Sequence, residues 1–178
     1  MLKTLRQITR TGIVSEAAPA AEQALRAPVE DRALREALQE RIVAIIGRAL
    51  CIRAVDAGSC NGCELEIHGL NNPIYNIEGL GIRFVASPRH ADLLLVTGPV
   101  SRHMEHALLQ TYAATPDPKF VVAVGDCGCT GGVFGENYAS RGRVANVIPV
   151  DVAVPGCPPN PNRILAGILT AISACENE

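Results

Sequence analysis

A pair of cysteines separated by two residues, Cys60 and Cys63, is the part of this sequence with the clearest chemical meaning; it lies in Ser-Cys-Asn-Gly-Cys-Glu at 59–64. Such a CxxC pair is typical of a metal site or of a dithiol redox centre. Two further cysteines, Cys127 and Cys157, follow far along the chain in turns rich in glycine and proline. Each of the three positions comes after an apolar, strand-like run. We therefore interpret the CxxC pair as one half of a metal site whose other half is distant in sequence.

The elements that must position these thiols are predicted by apolar runs that alternate with segments of helical character. The predicted strands cover residues 51–55, 82–86, 93–97, 120–124 and 147–154, and the predicted helices cover 63–70, 102–113 and 161–174. Strands that are apolar on both faces and separated by helices are typical of a parallel sheet covered on both sides. We therefore predict an α/β fold, a flavodoxin-like doubly wound parallel sheet. In such a sheet the loops at the carboxyl ends of the strands gather on one edge, which would bring the four thiols together.

Four thiolates that converge can hold either zinc or an iron–sulfur cluster. Structural zinc sites usually take their ligands from two close pairs, whereas here one close pair combines with two distant single cysteines. Glycines near these cysteines allow the backbone to approach the inorganic sulfides of a cluster; they are Gly125, Gly128, Gly131, Gly132, Gly135 and Gly156. The pattern favours a [4Fe–4S] cluster. Zinc, and a redox disulfide between Cys60 and Cys63, are the alternatives.

Three cysteines remain. Cys51 lies in the first predicted strand and Cys175 near the end of the last predicted helix, where a thiol is most often a small buried hydrophobic group. Cys129 is two residues from Cys127, and spacing alone leaves open which of these two is the ligand. The four histidines share no motif with a cysteine, so we expect surface or interface positions for them.

Bulk composition excludes several classes of protein. The net charge of −2 and the absence of Trp give no basis for nucleic-acid binding. No apolar run approaches the roughly 18 residues of a membrane-spanning helix, and the N-terminus lacks the features of a secretory signal. We expect a cytoplasmic chain, in which seven reduced cysteines favour metal binding over structural disulfides.

The N-terminal part is predicted to extend the α/β domain rather than to belong to it. Residues 1–13 are basic and form either a frayed terminus or a docking arm, and residues 14–27 have the composition of a linker. A helix is predicted from Pro28, with Leu34, Leu38, Ile42, Ile45 and Ala49 at helical spacing. We therefore divide the chain into an N-terminal helical extension, residues 1–50, and an iron–sulfur domain, residues 51–178.

Three ordered motifs carry a resemblance to a known family: Cys-Asn-Gly-Cys-Glu at 60–64, Gly-Asp-Cys-Gly-Cys-Thr-Gly-Gly at 125–132, and Pro-Gly-Cys-Pro-Pro at 155–159. They resemble the small subunit of [NiFe] hydrogenases and its relative, the 20 kDa cluster-bearing subunit of respiratory complex I. The resemblance covers about residues 50–172 and is greatest to the membrane-associated, energy-converting hydrogenases, including the formate hydrogenlyase type. The complex I subunit has adjacent cysteines where this chain has a CxxC pair, so the hydrogenase branch is favoured.

The resemblance implies a set of site residues. Cys60, Cys63, Cys127 and Cys157 would bind one [4Fe–4S] cluster, with Cys127 preferred because the family places its ligand four residues before the first glycine of a Gly-Gly pair. The chain carries no further cysteine- and histidine-rich region, so we expect a single cluster. Glu64 matches an acidic position implicated in proton transfer in hydrogenases. Its alternative role is a first-turn carboxylate that complements the helix dipole.

The implied function is one-electron transfer in an oxidoreductase. The cluster would relay electrons between the active site of a hydrogenase-like large subunit and a ferredoxin-like subunit, in a complex with membrane subunits at the cytoplasmic face of the inner membrane. One alternative is a complex I-like module that passes electrons to a quinone, or a hydrogenase-like complex without nickel. Another, of a different class, is a zinc-stabilised binding domain.

Overall fold

A five-stranded, entirely parallel sheet forms the centre of the fold in the computed structural model, which describes residues 31–174. Its strands are β1 (Leu50–Asp56), β2 (Ile82–Phe84), β3 (Leu93–Thr97), β4 (Phe120–Val124) and β5 (Val152–Val154). They are arranged in the order β2-β1-β3-β4-β5. This is the order of flavodoxin-like sheets, and it confirms the predicted fold class.

Five α-helices accompany the sheet in this part of the chain: α1 (Asp31–Arg41), α2 (Gly62–Gly69), α3 (Arg102–Ala114), α4 (Gly125–Thr130) and α5 (Pro161–Ser173). A π-helical segment, Ile42–Ile46, continues α1, and short 3-10 turns occupy Ile77–Leu80, Pro88–His90 and Val144–Asn146. Among residues 31–174 there is no helix with the length and apolar character needed to cross a membrane.

The two faces of the sheet bury two separate hydrophobic clusters. β3 is buried along its whole length, and its side chains alternate between the clusters: Leu93 and Leu95 lie in the first, and Leu94 and Val96 in the second. Residues of α1, α2 and α5 complete the first cluster, and Leu108 of α3 contributes to the second. Burial on both faces explains why this strand is a continuous apolar run in the sequence.

The last strand is shorter than predicted. The apolar run at 147–154 predicts one long strand, but β5 begins only at Val152, where it pairs with Val122 of β4. Pro149 has no N–H group to donate to a sheet ladder, and Ile148 is buried in the second hydrophobic cluster without strand geometry. The apolar character of this run therefore reflects core packing rather than strand pairing.

The helix preceding the sheet packs into the core. Its residues Leu34, Leu38 and Ile42 lie in the first hydrophobic cluster, and α1 packs against α5. The helical segment ends at Gly47 in a left-handed conformation, so Ala49 follows it and is exposed. The predicted start at Pro28, the basic arm, the linker and Cys175 lie outside the described residues. The domain boundary at residue 50 stays a prediction.

Replacing Leu38 by Ala tests how strongly α1 contributes to the core. Leu38 is 0% exposed, so we expect a loss of about 2–5 kcal/mol in the free energy of unfolding, measured by urea denaturation. Val43→Ala, at a position 67% exposed in the same segment, is the control and should change this free energy by no more than about 0.5 kcal/mol. Equal effects of the two substitutions would show that α1 is not part of the folded core.

Candidate metal centre

Three cysteine-bearing loops begin at the same level of the sheet. The terminal residues of the strands are paired in one row, because Asp56 aligns with Thr97, Thr97 with Val124, and Val124 with Val154. The loop after β1 carries Cys60 and Cys63, the segment after β4 carries Cys127, and the loop after β5 carries Cys157. The parallel register therefore delivers all four thiols to the carboxyl edge of the sheet, as the sequence pattern predicts.

The loop that carries the CxxC pair is shaped by Asp56. Its carboxylate accepts hydrogen bonds from the backbone N–H groups of Gly58, at 2.8 Å, and Ser59, at 2.7 Å. The Ser59 hydroxyl in turn accepts from the N–H of Asn61, which has a left-handed conformation (φ 72°) directly before α2. Cys60 is thus held just before the helix and Cys63 in its first turn. An Asp at the end of a strand, with Gly-Ser two residues further on, is a recognisable turn signal, although the cysteine motifs alone do not identify it.

Further backbone hydrogen bonds tie the neighbouring loops to one another. Ser101, after β3, donates to the carbonyl of Ala57, at 2.8 Å. Val100 accepts from Arg141 at 2.7 Å and donates to Gly142 at 2.9 Å, which attaches the segment after α4 to the loop after β3. The carboxyl edge is therefore a connected scaffold rather than a set of independent loops.

The charges of the other predicted ligands act on Cys63 and on Cys127. The pKa of Cys63 is raised from an ordinary 9.0 to about 12. Burial is the largest cause, followed by the charge of Glu64 and then by the charges of the other three thiols, Cys60, Cys127 and Cys157. The pKa of Cys127 is also raised, first by burial and next by the charges of Cys157 and Cys60. These thiols are close enough to repel as thiolates, and a bound cationic group would offset that repulsion.

Cys129 faces away from this group. Its Sγ donates to the carbonyl of Ala123 at 3.6 Å, and the side chain packs against the second hydrophobic cluster. Burial, the largest cause, raises its pKa to about 12, and its charge is not among the causes that act on Cys63. Of the two neighbouring thiols, Cys127 is therefore the one whose charge acts on Cys63, although Cys127 also acts on Cys129 as the last of its causes.

Cys51 is buried, as expected for a cysteine within a strand. It lies towards the amino-terminal edge of the sheet, away from the other thiols. Two arginines contact its Sγ. The sulfur accepts a hydrogen bond from Arg83 Nε at 3.3 Å and lies 3.8 Å from a guanidinium nitrogen of Arg48. Neither contact was apparent from the sequence.

Two glycines leave room beside the ligand sulfurs. A Cβ atom at Gly125 would lie 2.5 Å from Cys63 Sγ, and one at Gly132 would lie 2.8 Å from Cys127 Sγ. Both glycines also have positive φ angles, of 87° and 55°. Glycine at these positions therefore keeps open the space in front of two thiols, which is where a bulky cluster needs it.

The donors of the site do not form a compact group for a single ion. Within residues 31–174, no three His, Cys, Asp or Glu side chains are close enough together to hold one metal ion. A cubane is larger than a single ion and separates its four thiolates more widely than a tetrahedral zinc site does.

Glu64 is half-buried and follows Cys63 directly in the first turn of α2. Both oxygens of its carboxylate are shielded from solvent and have no hydrogen-bond partner in the described part of the chain. Burying an unpaired carboxylate is unfavourable, so such a group is retained where it serves a purpose. The carboxylate lies next to Cys63 in the sequence and is one of the causes that raise the pKa of that thiol. The four histidines, at positions 68, 90, 103 and 106, are exposed, in agreement with the surface positions expected for them.

Fold and site together define a class of protein: a parallel α/β subunit with cysteines gathered at the carboxyl edge of its sheet. Residues 60–171 match the family of the NADH ubiquinone oxidoreductase, 20 Kd subunit. The chain belongs to this family, whose members are oxidoreductase subunits that generally carry iron–sulfur clusters.

Sequence relatives include members of both branches of the family. The chain is 45% identical over 141 residues, 78% of its length and 84% of the relative, to Probable membrane-bound hydrogenase subunit mbhJ of Pyrococcus furiosus. It is 43% identical over 133 residues, 75% of its length and 52% of the relative, to formate hydrogenlyase subunit 7 of Escherichia coli. A subunit of the NADH-quinone oxidoreductase of Desulfovibrio desulfuricans is 40% identical over 124 residues, which cover 69% of this chain and 66% of that one.

Solved structures with the same fold include a chain of the membrane-bound sulfane sulfur reductase, an archaeal respiratory membrane complex. That similarity has a TM-score of 0.65 at 33% identity and covers 79% of this chain and 76% of that chain. A chain of an NAD+-reducing [NiFe]-hydrogenase gives a TM-score of 0.54 at 20% identity, over 68% of this chain and 92% of that one, which shows the shared fold alone.

Alkylation of the metal-free protein tests the arrangement of the thiols. With iodoacetamide at pH 8, the exposed Cys60 and Cys157 should react first. Cys63 and Cys129 should react far more slowly, since a pKa raised from 9.0 to about 12 lowers the thiolate fraction about a thousandfold. Because pH 8–10 lies below that pKa, their rates should rise about tenfold per pH unit across this range. Mass spectrometry of the labelled peptides measures each rate.

The same reaction in denaturant is the control, because unfolding should make the rates of all the thiols similar. Labelling of Cys129 as fast as Cys157 in the folded protein at pH 8 would contradict the described burial of Cys129.

Proposed function

We propose that this chain is an electron-transfer subunit that carries one [4Fe–4S] cluster, bound by Cys60, Cys63, Cys127 and Cys157. The observation that carries the proposal is geometric: the strands before the three thiol-bearing loops end in one row, so that these four thiols lie at one edge of the sheet. The glycines facing Cys63 and Cys127 support it further, since they leave space in front of the sulfurs.

The residues of the site have distinct tasks in this function. The four thiolates hold the cluster, and Gly125 and Gly132 let the backbone come close to it. When bound, a [4Fe–4S] cluster takes up and releases one electron with little rearrangement. The backbone hydrogen bonds between the loops would help to hold the ligand positions when the charge of the cluster changes. Partial burial of Cys63 and Cys127 limits the access of water to the site.

Glu64 is proposed to transfer protons next to the cluster. Its buried, unpaired carboxylate is available to accept a proton from a partner group and to pass it on. Glu64→Gln in the complete complex should slow hydrogen–deuterium exchange at the active site by at least about tenfold while leaving the cluster's EPR spectrum unchanged. Exchange at the wild-type rate would assign Glu64 the alternative role of complementing the helix dipole.

The proposed partners are a hydrogenase-like large subunit, a ferredoxin-like subunit and the membrane subunits of the same complex. Exposed apolar residues on the two segments that follow the ligand cysteines support a docked neighbour at this edge: Leu65, Val133, Phe134 and Tyr138. Val133 is 94% exposed and Tyr138 92%, which is unfavourable for large side chains unless another subunit covers them. The names of the relatives place them in membrane-bound complexes, so we propose a peripheral position at the cytoplasmic face of the inner membrane.

Hydrogen chemistry is the preferred role of the complex, because the CxxC pair favours the hydrogenase branch. The second candidate is electron transfer to a quinone or another acceptor, without nickel. It is supported by the 40% identity to an NADH-quinone oxidoreductase subunit and by the likeness to a sulfane sulfur reductase. The companion large subunit distinguishes the two: a CxxC pair near each of its ends supports hydrogen chemistry, and their absence supports the second candidate.

Substitution of single cysteines tests the ligand set. Cys127→Ser should abolish the native cluster, because serine cannot replace a thiolate facing the other three. Cys129→Ser is the matched control, two residues away in the same short helix, and should leave the cluster nearly unchanged. Iron and sulfide analysis together with EPR of the reduced protein measures the outcome. A cluster lost in Cys129→Ser and kept in Cys127→Ser would show that the thiols have been assigned in the wrong order.

Substitution of glycines tests the space in front of the cluster. Gly132→Ala should lower the iron and sulfide content to less than half of that in the wild type, because its Cβ would lie 2.8 Å from Cys127 Sγ. Gly135→Ala is the control for backbone strain: its φ of 56° matches the 55° of Gly132, but its Cβ would meet nothing within 4 Å. Equal iron loss in both variants would mean that strain, not space, explains the effect.

A further inference from the structure

Asp126 connects the two loops that supply the distant thiols. Its backbone N–H donates to the carbonyl of Gly156 at 2.9 Å, and its carboxylate accepts from the N–H of Gly156 at 2.6 Å. Asp126 directly precedes Cys127, and Gly156 directly precedes Cys157. The paired bonds therefore fix the backbone immediately before each of two proposed ligands.

Asp126 is also connected to the other side of Cys127. Its carbonyl accepts from the Thr130 hydroxyl at 2.9 Å, and the Thr130 oxygen accepts from the N–H of Gly132 at 3.3 Å. Gly132 is the residue whose backbone lies against Cys127 Sγ. Because α4 has only six residues, two of them glycine, its own helical bonds stabilise it weakly. The side-chain hydrogen bonds of Asp126 and Thr130 therefore help to hold the backbone on both sides of Cys127.

Position 156 requires a glycine for the contact with Asp126. Its φ of 142° belongs to a region that glycine adopts readily, and a Cβ would lie 2.6 Å from Pro159 Cα. Any other residue at position 156 would have to shift away from Pro159, and this shift would displace the N–H group that donates to Asp126. The contact between the two loops therefore depends on both residues.

The charge of Asp126 reaches the thiols. Asp126 directly precedes Cys127, and its Oδ1 lies 2.6 Å from the backbone nitrogen of Gly156, which directly precedes Cys157. Asp126 is half-buried, so solvent screens this charge less than that of a fully exposed carboxylate. A negative charge at this position opposes the addition of further negative charge.

We propose that Asp126 is a positioning residue for the cluster: it clamps the Cys157 loop to the Cys127 loop and lowers the reduction potential of the group they hold. This inference rests on the proposed function. The four thiolates would hold a [4Fe–4S] core of charge 2+, and one electron from a partner redox centre, or from dithionite in a titration, would change the total charge of core and thiolates from 2− to 3−. The carboxylate of Asp126 disfavours the more negative state.

Three substitutions at this position separate the clamp from the charge. Asp126→Asn and Asp126→Ser keep an oxygen that can accept from Gly156 but remove the charge, and Asp126→Ala removes both. Asp151→Asn is the matched control, because Asp151 makes the same kind of bond, accepting from the N–H of Val121 at 2.7 Å, at the opposite end of the strands.

The measurement is an EPR-monitored redox titration of the complex, combined with iron and sulfide analysis. At the wild-type midpoint potential, Asp126→Asn should raise the ratio of reduced to oxidised cluster about tenfold, which equals about 59 mV for one electron. If the Asn variant assembles no cluster, the same ratio is measured in Asp126→Ser, for which we expect the same increase. Asp126→Ala should in addition lose more than half of its iron, and Asp151→Asn should keep the wild-type potential.

A wild-type potential in both neutral variants would overturn the charge effect, and full iron content in Asp126→Ala would overturn the clamp. An equal shift in Asp151→Asn would also overturn the inference, since the effect would not be local. These results require a wild-type cluster. A wild-type complex with no iron at this subunit would instead overturn the proposed function, and the inference with it.

Discussion

The parallel register of the sheet is the constraint on which the site depends. Because the ends of β1, β3, β4 and β5 lie in one row, the loops after them start at the same height, although their cysteines are up to 97 residues apart from Cys60 to Cys157. β3 pairs with β1 and β4 along its whole length, and its side chains are packed into the two hydrophobic clusters, so its packing sets the height of both neighbouring strands. The positions of the thiols are thus a consequence of the packing of leucines and valines far from them.

Gathering thiols at one edge has an electrostatic consequence. Desolvation and mutual repulsion both disfavour thiolates, as the raised pKa of Cys63 illustrates. The cationic core of the proposed cluster would offset this penalty, so that metal binding would stabilise the arrangement of the loops. Carboxylates at the same edge act in two ways: Asp56 and Asp126 shape loops through backbone hydrogen bonds, whereas Glu64 remains unpaired among the described residues.

Much of the fold could be predicted from the sequence, because buried parallel strands are continuous apolar runs. β3 and β4 have the predicted bounds, and the strand order is that of the predicted fold. The run ending in β5 was misleading, since apolar residues before Val152 pack into the core without pairing. Helix α4 was not predicted either, because its glycines are poor helix formers and its geometry depends on tertiary contacts.

The candidate site was predictable to a different extent. Motif spacing identifies the CxxC pair and the two distant loops, but it cannot separate Cys127 from Cys129, because that choice depends on which thiol faces the core. The contact between Asp126 and Gly156 joins residues 30 positions apart and leaves no local pattern.

The central claim is that one edge of the sheet places four thiols around a single cluster. Crystallography of the complex with anomalous diffraction at the iron edge tests it directly. We expect one compact group of about four iron atoms per chain, bonded to the sulfurs of Cys60, Cys63, Cys127 and Cys157. A single zinc ion, or iron bonded to Cys129 in place of Cys127, would contradict the account.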